Sequence, residues 1–562
     1  MRTNSERGIA LLLALFLTAA LSVLAGSLMF LSQTETYATM NYRMMSQARY
    51  AAEAGVQKAG NFLFDTTQYT KPGLAGADLL ANYDYTSSPV KWGGQPVVLS
   101  TIPGVASNYP VGAVVTAFQN AAKGTLAAGN VTLNYAASAK LISMQTFDPY
   151  GGTPGGTAGV VQLWEITSQG TLSGPRPAKV EVVALAEQPV APANAFAAFA
   201  TANSCGAMYF HGNVTINSYD SATPFVGGQT SPTTTGSGGN VGTNGNLDIQ
   251  GSVDVQGQLF TPRTGVGSCD ANAVDALSET GHATVEAGMV QLPAAMRYPT
   301  PVFSVQPPTN NVTLDATLLA TGATPAAKGA GTCGALGLTF GSVAGGGNCD
   351  LRNAAGGLAS SGAAGPYTSV VVNGNGNAVT MPNVTVASGV KMVFAGHASP
   401  AAVVNVNSIN GAGDIEVEAN MGAANANESV VIRVAGKNPA GVTSTLPDPT
   451  DMLVPFDLEA MGWKQNATVN SAAKFDASAL QIVYPGTGTI NMDGGNSQSA
   501  ATVYAPNANF ILKGTQDLFG SVLAKTVTNG GNASIHYDRR LNRDFYVEGM
   551  YMLGTFNWKR SS

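Results

Sequence analysis

Charge is what this chain has least of. Lys, Arg, Asp and Glu make up 11% of its 562 residues, against about 25% in a typical soluble domain. A nucleic-acid surface needs clustered Lys and Arg. Here the net charge is −6, and the most basic stretch, Arg539, Arg540 and Arg543, is interrupted by Leu541 and Asn542 and followed by Asp544. A nucleic-acid partner is therefore not expected. Disorder is excluded by hydrophobicity: disordered chains are poor in apolar residues and rich in charge, and 44% of this chain is hydrophobic. Histidine is scarce too, with four residues, and none sits at metal-ligand spacing. There are four cysteines, no C-x-x-C and no D-x-[DN]-x-[DN]-G loop, so neither a structural zinc site nor a calcium loop is supported. No metal and no cofactor are expected.

The four cysteines, Cys205, Cys269, Cys333 and Cys349, all follow a long apolar segment. In an exported protein an even number suggests disulfides, and four allow three connectivities. Cys333–Cys349 is the favoured pair, because the two bracket one short Gly-rich loop, Gly334 to Asn348. Four buried free thiols are the alternative.

What is abundant is apolar and small. Residues 1–8 form a short leader with Arg2 and Arg7, and Ile9 to Leu31 then carries no charge. Those residues make about 35 Å of helix, enough to cross a bilayer's hydrocarbon core. The arginines are expected to stay on the cytoplasmic side. The run is too long for the apolar region of a secretory signal, and no A-x-A site follows it. From Met45 onward, Ala48, Ala52, Val56, Ala59 and Leu63 recur at spacings of three and four, the mark of one helical face. The spacing predicts one helix over 9–64: residues 9–31 in the membrane, 32–64 as an amphipathic continuation. A plain single-pass anchor and a signal peptide compete with a third reading of this segment.

That third reading rests on Glu6-Arg7-Gly8-Ile9-Ala10-Leu11, Asn41-Tyr42-Arg43, Gln47-Ala48 and Ala51-Ala52-Glu53-Ala54-Gly55. Over about the first 60 residues the chain resembles the N-terminal region of PilX-type minor pilins and K-type minor pseudopilins. The resemblance implies cutting by prepilin peptidase between Gly8 and Ile9 and N-methylation of Ile9. Gly8 suits this, because it has no side chain to obstruct approach to the scissile backbone. It also implies residence in the inner membrane before assembly, then in a pilus outside the cell, with other pilins as partners. One departure stands out: the fifth residue after the cut is Leu13, where major pilins carry Glu. That favours a minor subunit.

Strand-like runs follow. Val160 to Ser168 and Ala178 to Leu185 read as an antiparallel hairpin whose turn holds Gly170, Gly174, Pro175 and Pro177. Val180, Val182 and Ala184 should face the helix. A helix plus an antiparallel sheet is the pilin architecture, so residues 9–188 are expected to form an α+β pilin-like module, its β region over 65–188. Residues 189–200, with Pro189 and Pro192, read as a linker. Beyond it, short β-prone pieces alternate with Gly/Asn turns such as Asn373-Gly374-Asn375-Gly376. They predict a mostly β body over 201–544, a parallel β-helix or solenoid, with a β-sandwich as the alternative. No strict repeat period is present. Ala283 to Met296 reads as a short helix, Tyr298 to Pro308 as extended polyproline-like chain, and 545–562 as a closing cap or last strand. Ala501 to Asp538, with its YAPN and IHYD stretches, resembles the C-terminal β region of large PilX-like proteins. So bulky a body would fit poorly within a tightly packed fibre and suggests a tip or priming position, with cell-surface or carbohydrate ligands as further partners.

Because β-helices host carbohydrate enzymes, the carboxylates and imidazoles need weighing: Asp220, Asp248, Asp254, Asp493, Asp517, Asp538, His211, His397 and His536. Glycosidase chemistry needs two carboxyls about 5–10 Å apart. Asp248 and Asp254 are candidates for stacking on adjacent rungs. His536 and Asp538 lie two apart and should share a strand face, more readily for a structural hydrogen bond than for catalysis. No G-x-S-x-G, H-E-x-x-H or phosphate-binding loop occurs. No enzymatic activity is expected.

Overall fold

A computed structural model describes residues 5–65, 68–73, 78–128, 131–147, 159–173, 177–192, 194–223, 231–270, 273–298, 300–301, 305, 307–320, 333–340, 346–397, 401–418, 428–436, 456–457, 461–463, 475–494, 498–515, 517–543, 546–548 and 552–560. The chain divides into two compact units. One holds residues 1–145, 160–189 and 551–562; the other holds 146–159 and 190–550.

The first unit is built on one helix, Ser5–Phe64, about 90 Å long. It is continuous because no proline interrupts it and its first half is rich in Leu and Ala. Its second half buries Ala48, Ala51, Ala52, Val56, Ala59, Phe62 and Leu63, the face that the three-and-four spacing marks out. This face lies on an antiparallel sheet. Strand Gly159–Leu172 pairs with Ala178–Glu187 from Leu163↔Glu187 to Leu172↔Ala178. Along Ala178–Glu187, Val180, Val182, Ala184 and Ala186 are buried and alternate with less buried positions. Strands Val131–Phe147 and Val98–Ser100 extend the sheet on one side, with Lys123–Ala128 paired to the former. A second helix, Gly112–Ala121, buries Val114 and Phe118; sequence reading leaves it out.

One detail differs from expectation here. Gly170 lies inside the strand, opposite Val180, not in the turn; of the turn residues, Gly174 and Pro175 lie outside the described residues. The C-terminal strand Met552–Arg560 pairs antiparallel with Ala178–Glu187, so the last segment completes the first unit's sheet.

The second unit is a solenoid of parallel strands. On one face the order is 289–291, 259–261, 241–243, 198–200, 517–531, 498–514, 480–483, 430–434, 402–410, 379–386, 311–314, and every neighbouring pair is parallel. A second face stacks 367–373, 391–395, 414–418 and 461–463, also in parallel. Their Val, Ile, Leu and Phe side chains form one continuous core, as expected for strands covered on both sides.

The rungs do not follow chain order. The first coil, 198–219, sits mid-stack against the last, 517–538. The chain builds outward from 198 to 291, crosses to the far end, and builds back. Ten inter-strand steps separate 289–291 from 311–314, about 48 Å at ~4.8 Å each. Residues 292–310 can span roughly 60 Å when extended. Their described part lies along the flank: Asn244 exchanges hydrogen bonds with Met296 N and O (2.8 and 2.7 Å), and Tyr298 stands edge-on to Phe199, ring centres 5.0 Å apart. The polyproline-like reading of 298–308 thus falls on this crossover, with residues 299, 302–304 and 306 outside the described set.

The expected helix over 283–296 is instead two short strands, Thr284–Val285 and Met289–Gln291. Local pattern loses there to parallel pairing with Asp254–Val255 and Leu259–Thr261, and Gly288 turns the chain between them at φ +76°. The 189–200 stretch is not an unstructured linker. Val190–Pro192 pairs with Tyr546–Glu548, and Ala198–Ala200 is a buried rung. Residues 544 and 545 lie outside the described set.

Candidate functional site

The first candidate surface is the N-terminal half of the long helix. Between Ile9 and Leu31 every large apolar side chain is more than half exposed, from Leu21 at 55% to Phe16 at 79%. Burying that much apolar surface takes lipid or other helices. The helix is long and apolar enough to cross a membrane. Its hydroxyls are prepared for such surroundings: Thr18, Ser22 and Ser27 each donate to the carbonyl four residues back, at 2.7–2.9 Å, which leaves no hydroxyl hydrogen to be satisfied by water. Leu13, 65% exposed, continues the apolar stripe where a carboxylate would interrupt it. The backbone of Gly8 and Ile9 is helical; Arg2 lies outside the described residues.

The helix is seated on its sheet by small residues. A Cβ on Gly170 would lie 1.9 Å from Ala48 O, and one on Gly55 would lie 2.1 Å from Ser168 Oγ. Helix and strand backbones therefore approach to a distance that only Gly permits. Nearby, Gln162 Oε1 accepts from Tyr69 Oη (2.9 Å) and Trp164 Nε1 (3.1 Å). Asp78 accepts from Tyr83 and Tyr109, each at 2.7 Å. Burial pushes the hydroxyl pKa of all three tyrosines well above the usual value, and Tyr69 also packs on Phe62 near the end of the helix, ring centres 6.2 Å apart.

Of the carboxylates weighed for catalysis, Asp220 and Asp538 both lie near the buried Tyr219 hydroxyl, together with Asp476. Asp248 and Asp254 share one strand, Leu247–Val255, and so are not on adjacent rungs. A corner at Gly251, φ +91°, separates them. Each is held by the Gln two residues on: Gln250 Nε2 lies 3.2 Å from Asp248, Gln256 Nε2 2.9 Å from Asp254. Asp220 accepts from Ala222 N (3.0 Å) in a local turn, and Asp493 lies in register with Lys513. His211 stacks on Tyr209, and His397 bridges to Ser429. His536 and Asp538 do not pair. His536 Nδ1 is 2.6 Å from Asn217 Oδ1, and its Nε2 is 3.8 Å from Asp517 on the neighbouring rung.

Asp538 itself is fully buried. It accepts from the backbone amides of Ser221 (3.2 Å), Ala477 (3.3 Å) and Arg540 (3.1 Å). Two distant segments thus converge on one carboxylate, which its own turn also holds. Burial, reinforced by the charge of Asp476, raises its pKa to about 6 despite those amides. Arg540 Nη1 bonds Asp476, and Tyr219 Oη donates to Phe475 O at 2.6 Å. Sequence reading did not bring Asp476 and Arg540 together, because nothing local links residues 64 apart. The cluster is closed by protein groups on all these contacts, and its chemistry is that of a clasp.

Cys205 is disulfide-bonded to Cys269 and Cys333 to Cys349, with Cα separations of 5.6 and 5.8 Å and sequence separations of 64 and 16. Loop-closure entropy gives about 4 and about 3 kcal/mol of stabilisation respectively. No group of three or more His, Cys, Asp and Glu placed to hold a metal occurs among the described residues.

Among known proteins, a family described as Domain of unknown function (DUF7305) matches residues 403–544, the part of the solenoid that builds back to the seam. No curated protein matches the chain. Among solved structures, the competence-associated pilin ComZ from Thermus thermophilus aligns at 16% identity and a TM-score of 0.27, over 92% of this chain and 98% of that one.

Proposed function

We propose that this chain is a minor pilin of a type IV pilus or related pseudopilus, acting in assembly or priming near the tip. The observation that carries this reading is the division of one helix into two halves: 9–31 apolar and exposed all round, 48–63 buried by small residues on an antiparallel sheet. A plain anchor needs the first half only. A subunit that leaves the bilayer to bundle with like helices needs both: an apolar stalk that lipid and neighbouring helices solvate equally, and a rigid seat that carries the load into the folded unit. The short leader ending at Gly8 supplies the processing signal. The subunit rests in the inner membrane until cut, then enters the fibre. The size of the second unit and Leu13 in place of an acid favour a minor position over bulk polymerisation. Asp538 is engaged by backbone amides, and Asp248 and Asp254 by the glutamines two residues on, which favours binding over catalysis in the solenoid.

The test is the mass of the native N-terminus from cells with an active pilus machine. A chain beginning at N-methylated Ile9 supports the proposal. A chain retaining Met1 in such cells sinks it and leaves a single-pass anchored adhesin.

A further inference from the structure

We infer that the solenoid carries a binding groove for a short acidic oligosaccharide, on the flank where the crossover passes the seam between first and last coils. The groove is a cavity of about 660 Å³, within the range of small-ligand sites. Thr201 and Asn203 come from the turn after the first rung, Asn507 and Lys525 from the last two long strands, and Arg297 and Tyr298 from the crossover. Residues 201–203 are more than 300 positions from Asn507 and Lys525, so closure of the seam brings these walls together.

Its polar groups fall into two sets. Asn244, Thr201 and the Asn507 amide nitrogen are occupied in holding the walls: Asn244 on Met296, Thr201 Oγ1 on Pro506 O (2.7 Å), and Asn507 Nδ2 on Thr300 and Pro485. The Asn203 amide, the Arg297 guanidinium and the Lys525 ammonium are exposed and have no protein partner among the described residues. No Asp or Glu lines the groove. In a chain with net charge −6, two cations and an amide that line one groove, none with a protein partner among the described residues, make a local anion site. Arg is suited to a carboxylate through two parallel N–H bonds.

The surroundings narrow the ligand. Two cations are too few for a nucleic-acid backbone. A peptide adding as a strand needs a free edge, and the rung beside the groove, 198–200, is paired on both sides, with 241–243 and 522–524. The walls are mixed: Ala295, Met296, Tyr298 and Pro506 give apolar surface on which the C–H face of a sugar ring can rest, beside the amides and cations. A sugar chain bearing carboxylates matches cations, amides and hydroxyls together. With no carboxyl pair in the groove, it would be bound and not cut. This inference is independent of the pilin reading.

The experiment titrates full-length protein in detergent micelles with trigalacturonate, its methyl ester and a tri-glutamate peptide, using wild type, Arg297→Ala, Lys525→Ala and, as a control that is not a lining residue of the groove, Lys179→Ala. Expected is saturable trigalacturonate binding, about tenfold weaker in each groove variant, unchanged in Lys179→Ala, and lost with the ester. If trigalacturonate fails to bind, binds as well as its ester, keeps its affinity in both groove variants, or binds more weakly than tri-glutamate, the inference is overturned. Matching circular dichroism of variants and wild type separates lost binding from lost fold.

Discussion

At the scale of single residues, Asp538 shows how a buried carboxylate can serve architecture at a cost. Its folded pKa, about 6, lies above the ordinary value near 3.8–3.9. The raised value means that the fold disfavours the ionised form. Its contribution is therefore most favourable below about pH 4, where the group is protonated folded and unfolded alike, and declines as pH rises through about 6. The whole change is about 3 kcal/mol, from roughly two pH units at 1.36 kcal/mol each. Asp538→Asn should flatten that part of the profile: comparing melting temperatures at pH 4.5 and 7, the pH difference of the wild type minus that of the variant should follow this sign. Identical profiles would show that the carboxylate titrates normally in the fold. Gly170 makes the opposite kind of demand, for absence of atoms. A Cβ there would overlap Ala48 O, so Gly170→Val should destabilise the first unit by about 2–4 kcal/mol, read as an earlier denaturant midpoint. Wild-type stability in that variant would mean the helix is not seated where described.

At the scale of elements, what the sequence makes legible is whatever repeats locally. The three-and-four spacing from Ala48 to Leu63 marks the buried face of the helix, and alternation along Ala178–Glu187 marks its sheet face, because each depends on the periodicity of one element. Parallel rungs are legible as short β-prone runs between Gly/Asn turns. Their period is not, and the register shows why: Ser369 pairs with Lys391 and Lys391 with Asp414, but Val430 pairs with Leu480, so coil length roughly doubles within one domain. Residues 189–200 read as a linker because Pro and Ala carry no pattern; their strand partners lie about 43 residues away at 241–243 and more than 320 away at 522–524 and 546–548. The anion groove was invisible for the same reason. The strand Met552–Arg560 is another non-local element, closing the sheet against Ala178–Glu187. Truncation at Met550 should expose that strand's edge and speed tryptic cleavage in the first unit, with the solenoid fragment persisting. Equal protection of both units after truncation would argue that the pairing contributes little.

At the scale of the whole molecule, the seam must hold the solenoid together without help from chain connectivity. The structure answers with a corner that repeats across it. Gly531, Gly212, Gly251 and Gly281 occupy equivalent corners on successive rungs, with Gly212 in register with both Gly531 and Gly251, and Gly251 with Gly281. All four have φ between +86° and +100°, a region that side chains resist. Each would also drive a Cβ into the carbonyl below: 2.2 Å from Gly531 O for Gly212, and 2.9 Å from Gly212 O for Gly251. The corner is thus continuous where the sequence is not, since Gly531 and Gly212 meet only when the last coil docks on the first. Gly212→Ala should then cost about 2–4 kcal/mol, combining backbone strain with displacement of the Gly531 carbonyl. Gly288→Ala is the matched control: its φ is +76° but no atom lies within 4 Å of the added carbon, so only the strain, about 1–2 kcal/mol, remains. Chemical denaturation of both variants, followed by fluorescence, reads the difference directly. If Gly212→Ala costs no more than Gly288→Ala, the first and last coils are not in contact at that corner, and the order of rungs described for the solenoid is wrong.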